Sequence, residues 1–133
     1  MPPEKLTLEI VTPERLVLSE TVDEVVLPSV QGYFGVRPGH TPLLAQLDVG
    51  EISFRSDQGE KFLAVSGGFA EVLPGGVSIL AETAELAGEI DAERAQRSRE
   101  RAETELKSEA SGREAELRLK RALGRIRVRG RAR

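Results

Sequence analysis

The sequence predicts an α+β chain built in series: a β-sandwich over residues 1–88, then an antiparallel hairpin of two helices over residues 89–133. Three observations carry that reading. All seven prolines lie at or before Pro74, and every aromatic lies at or before Phe69. Apolar residues recur with period two in the first part and at every third or fourth position in the second. The charge also splits. Residues 1–88 carry 5 Lys+Arg against 13 Asp+Glu, and residues 89–133 carry 14 against 9, inside a chain of net charge −3.

The strands follow in order. Leu6, Leu8 and Ile10 alternate with Thr7 and Glu9 until Pro13 interrupts. Arg15–Leu18 and Val22–Leu27 are aliphatic runs expected to stop at Glu20-Thr21 and at Pro28. Glu51–Arg55 and Lys61–Val65 flank Ser56-Asp57-Gln58-Gly59, a turn with glycine where positive φ is needed. Phe69–Leu73 and Val77–Ala81 flank Pro74-Gly75-Gly76, a second hairpin signal. Gly67-Gly68 lacks the spacing of a phosphate-binding loop and reads as a tight strand junction. Eight to ten short strands at this spacing make a sandwich or flattened barrel, with Phe34, Phe54, Phe62 and Phe69 as its large core pieces.

The helices come next. Asp91–Glu109 contains neither proline nor glycine, Ser111-Gly112 breaks it, and Arg113–Val128 resumes, with Gly124 a weak point. One stripe is Ala92, Ala95, Ala102, Leu106 and Ala110; the other is Ala115, Leu119, Ala122, Leu123 and Ile126. Each buried CH₂ contributes only about 0.8 kcal/mol. A hairpin lined by alanine, with no aromatic, therefore has to dock on the sandwich, on a partner or around a ligand.

Composition excludes much chemistry. With no cysteine there is no disulfide, thiolate metal site or cysteine nucleophile. His40 is the only histidine, and in its Pro38–Pro42 loop it reads as a hydrogen-bonded loop residue. No apolar run approaches the roughly 18 residues of a membrane span, and Met1–Lys5 does not read as the start of a signal peptide. No nucleophile–base pair stands out, so catalytic residues are expected to be none, metal ligands none, and the chain not an enzyme.

Asp91 suits the N-cap of the first helix, with Ile90 and Ala95 placed as a hydrophobic staple. Arg94 fits neither role, because a cation in the first turn opposes the helix dipole by about 0.3–1 kcal/mol. It calls for Asp91 or an anion as partner. Arg94 and Arg101 share one face, and Arg121 and Arg125 share another. If the chain reverses at Ser111-Gly112, Arg101 comes level with Ala122, and the guanidiniums line one groove suited to phosphate oxygens. The alternative is a solvated basic face paired with neighbouring glutamates, which spacing alone favours.

Gly32-Tyr33-Phe34-Gly35-Val36-Arg37-Pro38-Gly39-His40-Thr41-Pro42-Leu43-Leu44, followed by Phe62–Val72 with its Ser66-Gly67-Gly68-Phe69 centre, resembles the epsilon subunit of bacterial F-type ATP synthase. The opening Leu8–Pro13 and the helical tail extend the resemblance over nearly the whole chain. It implies a sandwich of about ten strands before the hairpin. It also implies a rotor subunit of the central stalk, bound to the gamma subunit and seated on the ring of c subunits at the cytoplasmic face of the membrane. Such a subunit is peripheral, couples proton flow to ATP synthesis, and inhibits hydrolysis when its helices extend to the alpha and beta subunits of the catalytic head.

Some members bind ATP as a regulatory ligand through a motif matched here by Ile90, Asp91, Arg94 and Ala95, with Glu85, Arg101, Arg121 and Arg125 as the further carried-over positions. The resemblance turns the Gly32–His40 loop, with Gln31, Tyr33 and His40, toward the c ring. Tyr33 stands where many relatives have an acidic residue, so a packing contact replaces a salt bridge there. The basic ending Arg125–Arg133 would reach an acidic surface of the head. Two alternatives stand beside this: the same subunit without a nucleotide site, and a free-standing sandwich whose basic hairpin grips nucleic acid. The second is disfavoured because the hairpin lacks aromatics for base stacking.

Overall fold

The computed structural model describes residues 4–107 and 112–131. Eight strands precede the helices: β1 Leu6–Val11, β2 Leu16–Val22, β3 Glu24–Ser29, β4 Gly32–Val36, β5 Leu43–Leu47, β6 Gly50–Ser56, β7 Gly59–Leu73 and β8 Gly76–Leu86. A 3-10 turn, Ala87–Glu89, leads into α1 Ala92–Lys107 and α2 Gly112–Arg129. The break between the helices, the side chain of Leu106 and all of Ala110 lie outside the described residues.

The count is eight, not ten, because predicted runs merge. Lys61–Val65 and Phe69–Leu73 are two halves of β7, and Val77–Ala81 is only the first half of β8. β2 also runs through Glu20-Thr21, where a stop was expected; Glu20 there meets the Lys61 ammonium at 3.3 Å. The chain turns at Asp23 instead, whose N–H donates to the Arg55 carbonyl at 2.7 Å.

β7 is shared by both layers. Its first half pairs with β6 and its second half with β5, while β8 runs antiparallel along both halves. β1 joins the outer end of β8 in parallel and carries β2 at the edge; β3 pairs with β4 and β6 in the other layer. The bend between the layers falls at Gly67-Gly68, with φ of 68° and 113°. A Cβ on Gly68 would stand 2.0 Å from the Leu80 carbonyl oxygen. The glycines are thus a strand junction: only a residue without a side chain lets β7 cross β8 there.

Alternation fills the space between the layers. Leu6, Leu8, Ile10, Ile52, Phe54, Leu63 and Ile79 are all buried in one core. Phe54 meets the expectation of a core aromatic, and Phe34 packs against the core's edge. Phe69 does not: it is 53% exposed. Ala70 and Val72 take the inward positions of β7, and strand parity sends Phe69 outward. There it pairs with Leu80, which pairs with Val11, which pairs with Leu16. Leu16 and Leu80 are exposed as well, so an apolar row crosses four strands on the outer surface.

Gly68→Ala is expected to lower unfolding stability by roughly 2–4 kcal/mol, the joint cost of a side chain at positive φ and of a forced overlap. Denaturant unfolding of the full chain measures it.

Candidate functional site

α1 starts as the sequence suggests. The Asp91 carboxylate accepts the Arg94 backbone N–H at 3.0 Å, and the Ala95 N–H reaches the Asp91 carbonyl at 3.0 Å. Ile90 and Ala95 are buried together with Ala64 of β7 and Val128 of α2, and Phe62, Ala87 and Ile126 pack around them. Ala95 and Val128 are equidistant from the Ser111-Gly112 break, which is the register of an antiparallel hairpin. Ala102, Ala115 and Ala122 are buried along the helices. Ala92 and Leu123 are exposed, while Gly124 and Val128 turn inward. The buried stripe of α2 is therefore rotated toward its glycine.

The hairpin lies against the sandwich, and charges hold it there. The Lys120 ammonium meets the Asp48 carboxylate at 3.0 Å, the Arg125 Nε donates to Glu85 at 2.8 Å, and the Arg131 Nε donates to Glu51 at 2.7 Å. The Arg131 guanidinium also stacks 4.6 Å from the centre of the Phe62 ring. Arg15 and Glu89, 3.1 Å apart, fix the junction before α1. The partners of these pairs lie tens of residues apart, and no local pattern announces them. The sequence accordingly points to none of Asp48, Glu51 and Lys120, and it places Phe62 in the sandwich core and Arg131 in the basic ending rather than in this contact.

The carried-over positions fall into groups. Glu85 at the end of β8, Arg121 and Arg125 meet beside the buried Ser66 and the more exposed Thr83 and line a cavity of about 10 Å³. The Nε of Arg121 is buried there without a hydrogen-bond partner. Ile90 and Ala95 belong to the small apolar cluster, with Asp91 capping above them. Arg94 and Arg101 are exposed on α1, and among the described residues neither guanidinium makes an ion pair. Asp91, offered as a partner for the Arg94 side chain, is engaged with its backbone instead. Of the expected glutamate partners on α1, Glu93 and Glu103 pair with Arg97 and Arg99.

Gly32–His40 is not one loop. Gly32–Val36 is strand β4, and the loop proper is Arg37–Pro42. Exposed Gln31 donates its N–H to Ser29 Oγ at 3.2 Å in the turn before β4. The Tyr33 hydroxyl accepts the Glu51 N–H at 3.1 Å. His40 Nδ1 stands 2.6 Å from the Thr41 carbonyl, so that nitrogen carries the proton in the neutral ring. Among the described residues no group of three or more His, Asp or Glu is placed to hold a metal ion, and no helix is long and apolar enough to cross a membrane.

The chain is thus a β-sandwich with an ion-paired two-helix arm laid along it, the architecture of a two-part, sandwich-and-arm protein. Residues 5–87 match the model of the ATP synthase delta/epsilon chain β-sandwich domain, and residues 89–130 match that of the ATP synthase delta/epsilon chain long α-helix domain. The chain belongs to the delta/epsilon chain family of ATP synthase. It is 52% identical to an ATP synthase epsilon chain of Syntrophobacter fumaroxidans over 128 residues, covering 94% of this chain and 96% of that one. With an ATP synthase epsilon chain of Citrifermentans bemidjiense it shares 47% over 133 residues, covering 97% and 96%. Among solved structures it resembles a chain of the Euglena gracilis mitochondrial ATP synthase, in a structure of OSCP, F1 and the c-ring, with a TM-score of 0.78 and 28% identity over 89% of this chain and 77% of that one. A chain of the Tetrahymena thermophila mitochondrial enzyme shares the fold at a TM-score of 0.62 and 12% identity, covering 96% of each. A free-standing nucleic-acid-binding sandwich is set aside by this membership.

The Lys120 hydrogen bond, helped by the Val49 N–H, holds the Asp48 carboxyl below its ordinary value of 3.8 against a smaller opposing effect of burial. The lowered value means that this contact favours docking in full above the ordinary carboxylate range and is lost as pH falls through the docked-state value. A fluorescence distance between labels on α2 and β6 is expected to lengthen below about pH 4, and less so in Asp48→Asn, where the titrating pair is already gone.

Proposed function

We propose that this chain is the epsilon subunit in the central stalk of an F-type ATP synthase, that it couples rotation to ATP synthesis, and that its hairpin is a regulatory arm. Docked on the sandwich, the arm binds ATP. Released, it extends toward the alpha and beta subunits and restrains hydrolysis, with the basic run Arg125–Arg133 leading. The complex would hold the chain peripherally, at the cytoplasmic face of the membrane. It is a non-catalytic subunit in this reading: the arginine seam offers phosphate ligands, and its carboxylate, Glu85, is engaged with Arg125.

One observation carries the regulatory part. The arm is held by solvent-accessible ion pairs and a small apolar cluster, while Arg94 and Arg101 have no ion-pair partner among the described residues and the Arg121 Nε has no hydrogen-bond partner. A triphosphate between the helices would satisfy those donors and tie α1 to α2. Ligand at about 100 times its dissociation constant stabilises the docked arm by about 2.7 kcal/mol, comparable with the sum of a few exposed pairs.

The partner surfaces follow from exposure. The row Leu16, Val11, Leu80 and Phe69 suits an apolar stripe on a gamma-subunit helix. The end bearing Gln31, Tyr33 and His40 suits the polar loops of the c ring. A second reading, the same subunit without a nucleotide site, draws on Glu85: it already engages Arg125, and the space beside Arg121 is too small for a nucleotide unless the seam opens.

Calorimetry of ATP against the full chain is expected to give saturable heat that Arg94→Ala weakens at least tenfold, the loss of one charge-assisted bond. Equal heats in both, or none in either, would leave the second reading. Truncation after Gly88 in the assembled complex is expected to raise ATP hydrolysis in both readings; unchanged hydrolysis removes the inhibitory arm. Pull-down of the full chain from membranes is expected to recover gamma and c subunits.

A further inference from the structure

Between α2 and the β3–β4 end of the sandwich lies a cavity of about 400 Å³. Its walls come from both parts of the chain: Lys120, Gly124 and Arg127 from α2, and Tyr33, Asp48 and Gly50 from the sandwich. The three α2 residues stand at i, i+4 and i+7, so they form one stripe along the helix.

Gly124 is the informative member. A glycine inside a helix is destabilising relative to alanine. This one is buried, yet a Cβ built on it would meet no atom within 4 Å. Close packing therefore does not require glycine at this position. Its missing side chain keeps the cavity open, and Gly124, Gly50 and Val49 also line the small cavity beside Arg121.

Donors dominate the walls. Arg127 is exposed and makes no ion pair among the described residues. The Lys120 ammonium donates to both Asp48 oxygens, at 3.1 and 3.0 Å, and keeps a third N–H. The Tyr33 hydroxyl accepts from Glu51 and keeps its own O–H to donate. Asp48 is the one carboxylate on the wall, against two cations.

We infer that this cavity binds a small oxyanion of the phosphate class and that only the docked hairpin completes it. A guanidinium and an ammonium two turns apart on one helix, with a phenol across from them, offer donors to a tetrahedral oxyanion from several sides. The site adjoins the ATP seam through Val49, Gly50 and Gly124 but uses none of Arg94, Arg101, Arg121 or Arg125, so its cations are a separate set. Because both of its cations leave with α2, occupancy favours the docked arm: at ten times the dissociation constant the ratio of docked to released arm rises about elevenfold.

Tyr33 is the only tyrosine and there is no tryptophan, so the chain's intrinsic emission arises at the wall of this cavity. Inorganic phosphate is titrated into the full chain, with potassium chloride matched in ionic strength as the reference. The expected result is a saturable change in Tyr33 emission with phosphate alone, a dissociation constant raised at least tenfold by Arg127→Gln, and loss of the response in Gly124→Leu, which fills the cavity. Far-UV circular dichroism checks that Gly124→Leu keeps its helices; should it not, Arg127→Gln decides alone. A linear response shared by phosphate and chloride, or a saturable one unchanged in Arg127→Gln, overturns the proposal. So does a response lost in Arg94→Ala and kept in Arg127→Gln, which would place the phosphate in the seam.

Discussion

The face that α2 turns to the sandwich is charged where most packed helices are apolar, and the behaviour of the hairpin follows from that. Lys120, Arg125 and Arg131 each reach a carboxylate on the sandwich, and all three pairs are at least partly open to solvent. Pairs of that kind contribute about 0.2–1 kcal/mol each. The apolar contact adds Ile90, Ala95, Ala64 and Val128, a much smaller set than the sandwich core. The molecule thus has two levels of local stability. A β-core crossed by one long bent strand forms the base, and an arm rests on it through contacts that salt, pH or a competing ligand can exchange.

The local features of this arrangement were legible in the sequence and the distant ones were not. Asp91 as N-cap and the Ile90–Ala95 staple depend on residues within one turn of each other, and both are present. Gly67-Gly68 was legible as a junction because only backbone geometry is involved. The merging of two predicted strands into β7 was not. A bend and a break have the same local sequence signature, and the difference lies in whether β8 continues to pair on both sides. Phe69 was misplaced for a related reason. Hydrophobicity suggested the core, but the parity set by Ala70 and Val72 decides the face. The ion pairs from α2 join residues whose meeting depends on the hairpin's docking, which no spacing rule encodes.

The carried-over arginines illustrate the same division. Spacing placed Arg121 and Arg125 on one face, and they do line one cavity with Glu85. Spacing also placed Arg94 and Arg101 on one face, but exposure leaves them in solvent rather than in that cavity. The resemblance assigned all four to one ligand, whereas the polypeptide by itself brings only two together. A ligand that joined the sets would draw α1 and α2 into a closer seam than alanine packing makes alone.

Glu85 determines how that exchange balances. Its carboxylate already accepts from Arg125, so an incoming phosphate that takes Arg125 replaces one charge-assisted bond with another and frees an acidic group beside itself. That exchange contributes little net affinity. The gain has to come from donors with no acceptor in the docked arm. The Arg121 Nε is the clearest, since a buried unpaired donor costs about 1–3 kcal/mol. Arg94 and Arg101 supply charge from the solvent side. A nucleotide held in this way would take its affinity from those donors and leave Glu85 and Arg125 paired in the docked arm. On the proposed reading, the Glu85–Arg125 pair would hold the arm on the sandwich while the unpaired donors hold the nucleotide.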